Sequence, residues 1–96
     1  HAKGVYRKRR EVLLEAVKAY GFEVSDSEAG LYIWATLHED CWKTVDRMAD
    51  LGIVVVPGTF YGQHSTQHVR FSLTATDADI AEAALRLRDA IGLRSL

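Results

Sequence analysis

Several scarcities bound what this chain can be. With one cysteine, Cys41, it cannot form an internal disulfide, and that scarcity fits a reducing cytoplasm. No apolar run approaches the ~20 residues that cross a bilayer, and the N-terminal residues lack the pattern of a signal peptide. Neither charge dominates. Twelve basic and thirteen acidic residues leave a net charge of -1, which gives no support to a nucleic-acid or membrane-surface partner. The single basic run, Arg7-Lys8-Arg9-Arg10, is diluted at once by Glu11 and Glu15 and reads as a solvated helix face. No repeat, linker or low-complexity segment divides the 96 residues. One modest hydrophobic core, and so one soluble, cytoplasmic domain, is the expectation.

What is present is regular. Val5, Val12, Leu13, Ala16, Val17 and Tyr20 recur at helical spacing before Gly21, which predicts an amphipathic helix with a glycine stop. Phe22-Glu23-Val24 suits a short strand, and Ser25 to Gly30 is turn chemistry. Leu31, Ile33, Ala35 and Leu37 alternate with Tyr32, Trp34 and Thr36, as in a strand with two usable faces. A second helix is expected over Glu39 to Leu51, with Trp42, Val45, Met48 and Ala49 on its buried stripe and Gly52 at its end. Ile53 to Val56 reads as a strand covered on both sides. Thr76, Asp77, Ala78 and Asp79 have the form of a capping box. They open a last helix with Ile80, Ala83, Ala84, Leu87 and Ile91 inward and Gly92 as its stop.

The expected fold is therefore α/β (α+β), a two-layer small domain of order αββαββα. Its sheet has three or four strands and helices mainly on one face. Strands joined through a helix are expected to run parallel, and Ile53 to Val56 and Val69 to Leu73 to pair antiparallel, which makes the sheet mixed.

The candidate site centres on Arg70. Val69, Phe71 and Leu73 alternate with Arg70, Ser72 and Thr74, so one strand face is apolar and the other displays a guanidinium and two hydroxyls. A guanidinium is planar, permanently charged and forked, and it fits a carboxylate with two parallel hydrogen bonds. Most strand arginines instead lie on a solvated face or close a salt bridge worth about 0 to 1 kcal/mol. Against that bland role stands the long loop from Gly58 to Gln67, well beyond the ~2 to 5 residues of an ordinary hairpin. Tyr32, Trp34, Arg70 and Ser72 would share a face if the two strands are in register.

Three ordered motifs resemble one family. Gly30-Leu31-Tyr32-Ile33-Trp34, then Leu51-Gly52-Ile53-Val54-Val55-Val56-Pro57-Gly58-Thr59-Phe60-Tyr61-Gly62, then His68-Val69-Arg70-Phe71-Ser72-Leu73-Thr74 look like the C-terminal small domain of a class I/II aminotransferase. Tyr6, Arg9 and Arg10 resemble the start of that domain. The wording of Ser27 to Thr36, Pro57 to Gly62 and Leu73 to Asp77 is most similar to actinobacterial N-succinyldiaminopimelate aminotransferases of lysine biosynthesis. The resemblance implies that Arg70 matches the arginine holding the substrate α-carboxylate. It also implies that Tyr61 and Gly62 match an aromatic-glycine pair approaching the active site, and Trp34 an aromatic near the substrate channel.

It further implies a homodimeric parent enzyme, a pyridoxal phosphate cofactor and an amino acid or 2-oxoacid substrate. The cofactor-binding lysine should sit in a Ser-rich or Gly-rich loop of a large domain, and Lys3, Lys8, Lys18 and Lys43 lie in or beside helices. Residues 1–96 are thus expected to be a fragment with the large domain missing, with no catalytic residue and no bound cofactor of its own. A stand-alone regulatory module that recognises an amino-acid carboxylate through Arg70 is the competing expectation.

Two other features carry less. His64 and His68 have a ligand spacing only on a helix, and with Gly62 and a strand beside them no metal site is expected. Cys41 begins a helix, where a thiolate could be stabilised, but a free cysteine with no partner motif is expected to pack.

Overall fold

The computed structural model describes residues 2–25 and 30–94. Helix α1 spans Ala2–Tyr20, strand β1 Glu23–Val24, β2 Tyr32–Thr36, helix α2 Cys41–Asp50, β3 Val56–Pro57, β4 His68–Ser72 and α3 Asp77–Arg94. The expected order αββαββα is what the chain adopts. Most of the turn expected over Ser25 to Gly30 lies outside the described residues. The loop before β4 is not open coil. It winds into two short 3-10 turns, Gly58–Tyr61 and Gln63–Ser65.

The sheet order is β1-β2-β4-β3. Each neighbouring pair is antiparallel, with Trp34 opposite Arg70 and Val56 opposite Arg70 on the other side. The expectation of a mixed sheet is corrected here. β2 and β3, which are joined through α2, do run in the same direction, but β4 lies between them, so no parallel pair forms. Pairing of β4 with β3 is antiparallel as expected, and pairing of β4 with β2 aligns the alternation of both strands.

The apolar faces of the strands meet the helices in one core. Ile33 and Ala35 of β2 and Val69 and Phe71 of β4 pack with Leu13, Ala16 and Val17 of α1, Met48 of α2, and Ile80, Ala84 and Leu87 of α3. Phe22 stands edge-on to Phe71 with ring centroids 5.3 Å apart. All three α-helices of the described residues contribute to this layer, which leaves the opposite face of the sheet without an α-helix among those residues. No helix among the described residues is long and apolar enough to cross a membrane.

Three local expectations are corrected. First, the buried residues of α2 are Cys41, Thr44 and Met48, while Trp42 is 48% exposed. Cys41 and Thr44 face the core beside Met48, and the bulky indole turns outward, so that apart from Met48 the buried stripe lies one position out of phase with the expected one. The helix starts at Cys41 because Asp40 caps it, its carboxylate accepting from the Trp42 N–H at 3.0 Å and satisfying one of the free N–H groups of the first turn.

Second, Ile53 to Val56 is not covered on both sides. Only Val56 and Pro57 enter the ladder, and Val54, which precedes the strand, is 90% exposed, because the helices cover one face of this sheet and leave the other open. Third, α3 runs through Gly92 to Arg94. Glycine permits a left-handed stop but does not compel one, and Gly92 keeps an ordinary negative φ. Gly21 and Gly52 do take positive φ, +122° and +75°, where α1 and α2 end. At the start of α3, the Thr76 hydroxyl accepts from the Asp79 N–H at 3.1 Å, as the capping pattern predicts.

Candidate functional site

Alternation along β4 turns Val69 and Phe71 into the core and Arg70 to the helix-free face, where the residue is half-buried. Register then decides its neighbours. Trp34 is directly across on β2, and Tyr32 is two pairs further along on the same face, opposite Ser72. The guanidinium carbon of Arg70 lies 3.9 Å from the centroid of the Tyr32 ring and 5.0 Å from that of Tyr61. Two aromatic faces therefore hold the cation, each such contact being worth about 0.5 to 2 kcal/mol according to its desolvation.

The guanidinium lacks the partner that would make it structural. Among the described residues no carboxylate forms an ion pair with Arg70, and its Nε is buried without a hydrogen-bond acceptor. A buried donor left unsatisfied costs about 1 to 3 kcal/mol. A planar anion is the group whose shape would offset such a cost, because a carboxylate accepts two parallel N–H bonds from one fork.

The loop sets the second wall. Tyr61 ends the first 3-10 turn and stands edge-on to Trp34, with centroids 5.2 Å apart and planes at 84°. Gly62 follows with φ +143°, a conformation that side chains disfavour. Gly58 is needed for a different reason. A Cβ built there would lie 2.1 Å from the Ser65 carbonyl oxygen and 2.7 Å from that of His68, so the loop closes on itself only over a residue without a side chain. Its far end is tied down by the Cys41 N–H donating to the Thr66 carbonyl at 2.8 Å and by the Thr36 hydroxyl donating to the Gln67 carbonyl.

The structure thus brings Arg70, Trp34 and Tyr61 together, with Gly62 shaping the turn that presents the phenol. Tyr32 belongs with them and is the nearer of the two rings. Its signal was the same alternation that marked Trp34, since the two residues are two apart on one strand. A cleft of about 270 Å³ beside the stack is lined by Ser25, Trp34, Tyr61, Ser65 and His68. A cleft of about 340 Å³ lies elsewhere, between α3 and residues 52–54. Arg86 at its wall is engaged, donating to the Leu51 carbonyl and to Glu82 at 3.1 Å each. No comparable free cation marks that cleft among the described residues.

The remaining candidates separate cleanly. Cys41 is fully buried, its sulfur 3.9 Å from the Thr59 hydroxyl, which is packing. The side chain of His64 lies outside the described residues, and no group of metal-ligating side chains is present among those described. Lys8, Lys18 and Lys43 are exposed on helices, on the layer opposite the Arg70 face. They do not fit a covalently held carbonyl cofactor beside Arg70. What the described residues present is a guanidinium between two aromatic rings, a shape and charge suited to a carboxylate.

Comparison with known proteins is consistent in direction. The family model "Aminotransferase class I and II" matches residues 3–87. The chain is 54% identical over 82 residues, or 85% of its length, to the 4-dedimethylamino-4-oxo-anhydrotetracycline transaminase of Streptomyces rimosus, of which it covers 23%. It is 50% identical over 82 residues, again 85% of its length, to a probable aminotransferase of Mycobacterium tuberculosis, of which it covers 20%. Among solved structures, a probable N-succinyldiaminopimelate aminotransferase from Thermus thermophilus superposes with a TM-score of 0.75 at 30% identity, over 90% of this chain and 24% of that one. The chain spans about a fifth to a quarter of the length of the relatives it matches.

Proposed function

Because the chain belongs to the class I and II aminotransferase family, we propose that it is the C-terminal small domain of a transaminase in which Arg70 holds the α-carboxylate of the amino acid or 2-oxoacid. One observation carries the proposal, namely a guanidinium walled by Tyr32 and Tyr61 whose buried Nε has no acceptor among the described residues. The rings orient the fork and exclude water from its faces, which strengthens its attraction for an anion. Trp34 and Tyr61 then bound the space beside the held carboxylate, and Gly62 fixes where that phenol stands.

Enzymes of this family use pyridoxal phosphate, whose electron-withdrawing ring stabilises the carbanion formed at the substrate α-carbon. The described lysines do not fit that group, so the cofactor's lysine and phosphate cradle belong to a large domain outside these residues. This chain contributes binding and orientation. Precise placement of a reacting bond is a large part of catalysis in its own right.

For the substrate, we take a diaminopimelate-type amino donor of lysine biosynthesis, N-succinyldiaminopimelate in particular. Supporting it is the likeness to the Thermus thermophilus structure of that title. The Streptomyces rimosus relative, whose name specifies a tetracycline precursor, sets the comparison that a substrate panel must include.

The test is steady-state kinetics of the full-length enzyme carrying Arg70→Gln. Losing one member of a desolvated charge pair should cost about 2 to 5 kcal/mol of transition-state binding in kcat/KM. Near wild-type efficiency would refute the assignment. Arg70→Lys should recover only part of the loss, since an ammonium keeps the charge but not the planar fork.

A further inference from the structure

The face that presents Arg70 has more room than a carboxylate needs. The cleft of about 270 Å³ at the Trp34–Tyr61 corner ends at Ser25, Ser65 and His68. A second cleft, of about 300 Å³, shares Ser25 and His68 and continues past Thr36 and Gln67 to Glu23 and His38. Two shared lining residues make them one groove. It starts beside the Arg70 stack and runs along the β2–β4 ladder toward the edge strand β1.

Spacing along the ladder is set by strand geometry. His68 and Arg70 are two residues apart on the same face of β4, so their side chains stand about 7 Å apart along the strand. The polar groups in the first part of the groove are uncommitted. Among the described residues, neither the His68 ring nor the hydroxyls of Ser25 and Ser65 have a hydrogen-bond partner, although the Ser25 backbone N–H donates to the Trp34 carbonyl at 2.9 Å. Among the described residues no carboxylate lines that part. The one acid further on among the described lining residues, Glu23, is already paired with His38 at 2.6 Å.

We infer that this groove is a distal subsite, which takes the tail of the substrate and selects for an acceptor oxygen about 7 Å from the α-carboxylate. Trp34 and Tyr61 supply apolar wall for the intervening methylenes, and His68 donates to the oxygen, with the Ser25 and Ser65 hydroxyls beside it. A ligand ending in a methyl group would leave these donors facing a chain end that cannot accept, and would lose the discrimination that polar groups impose. This inference rests on the reading of Arg70 as the carboxylate grip.

The test measures dissociation constants of pimelate and heptanoate for the full-length holoenzyme by competition with substrate. The two acids share the end that Arg70 would hold and differ in having oxygens or a methyl at the other. His68→Phe should weaken pimelate about five- to tenfold, the worth of one hydrogen bond, and leave heptanoate unchanged. His68→Gln, which retains an N–H donor, should restore most of the difference, and Ser65→Ala should give a smaller loss confined to pimelate. Equal losses for both acids, or none for pimelate, would overturn the subsite. Arg70→Gln keeps the two readings apart. It should weaken both acids alike, whereas indifference of both would overturn the carboxylate grip, and normal Arg70 dependence with His68-insensitive pimelate would overturn the groove alone.

Discussion

Gly58→Ala is the substitution that best tests whether the loop geometry builds the site. The new Cβ would stand 2.1 Å from the Ser65 carbonyl oxygen, 2.7 Å from the His68 carbonyl oxygen and 2.8 Å from the Ser65 Cβ. Comfortable carbon to oxygen contacts begin near 3.3 Å, so the opposing strand of the loop must retreat by about 1 Å. Two of the atoms in the way are backbone, which cannot rotate aside as a side-chain end can.

Overpacking of this kind costs about 1 to 3 kcal/mol. The retreat also pulls on the Thr66 carbonyl, which accepts from the Cys41 N–H at 2.8 Å, and loosening that bond adds about 1 kcal/mol. A local destabilisation of about 2 to 4 kcal/mol follows. Hydrogen exchange in the full-length enzyme reads it directly, because the Cys41 amide sits at the contact. Its exchange should quicken by at least about thirtyfold, with distant amides of α1 unaffected. As Tyr61 rides on the same loop, kcat/KM should fall with it. Unchanged protection at Cys41 together with unchanged kinetics would refute the claim that Gly58 is there for close approach.

The other predictions concern the aromatic wall and one ion pair. Tyr32→Leu in the full-length enzyme should raise KM about five- to thirtyfold by removing the ring 3.9 Å from the cation, a loss of about 1 to 2 kcal/mol. Tyr32→Phe should be close to neutral, and equal effects of the two substitutions would show that the ring face is not what matters. Glu39 accepts hydrogen bonds from Arg47 at 3.0 and 3.2 Å and from Thr44 at 2.9 Å. The Arg47 contact is the largest influence, and although burial opposes it, the carboxyl is held below its ordinary range. A depressed folded-state pKa stabilises the fold above the unfolded pKa, and that contribution is lost as pH falls through the folded value. With Arg47 half-exposed, the pair is worth only about 0.5 to 1 kcal/mol. Melting curves should therefore show wild type losing its advantage over Glu39→Gln below about pH 4, and parallel pH profiles would contradict this.

Much of this architecture was legible in the sequence because alternation is a strong signal in short strands. Val69, Phe71 and Arg70 announced both faces of β4, and the same period on Tyr32 and Trp34 placed an aromatic surface opposite. Pairing order was less legible. Nothing local in Ile53 to Val56 states whether a layer will pack on both faces, so a β-branched run looked doubly covered when only Val56 joins the ladder and Val54 stands at 90% exposure. The phase of α2 failed for a related reason. Helical periodicity ranks residues by hydrophobicity, whereas the packed interface selects by size, and Cys41 and Thr44 fit where Trp42 does not. Tyr32 escaped assignment to the site because stacking under a cation depends on side-chain direction, which spacing alone does not specify.

The placement of β4 between β2 and β3 has a consequence for how the molecule comes into being. During synthesis only the β1–β2 hairpin can zip up early, because β3 emerges with no neighbour to join and must wait for the ribosome to deliver the residues after His68. The strand that carries the guanidinium is the keystone laid last, and chains that stop short of it should expose two unfinished edges at once.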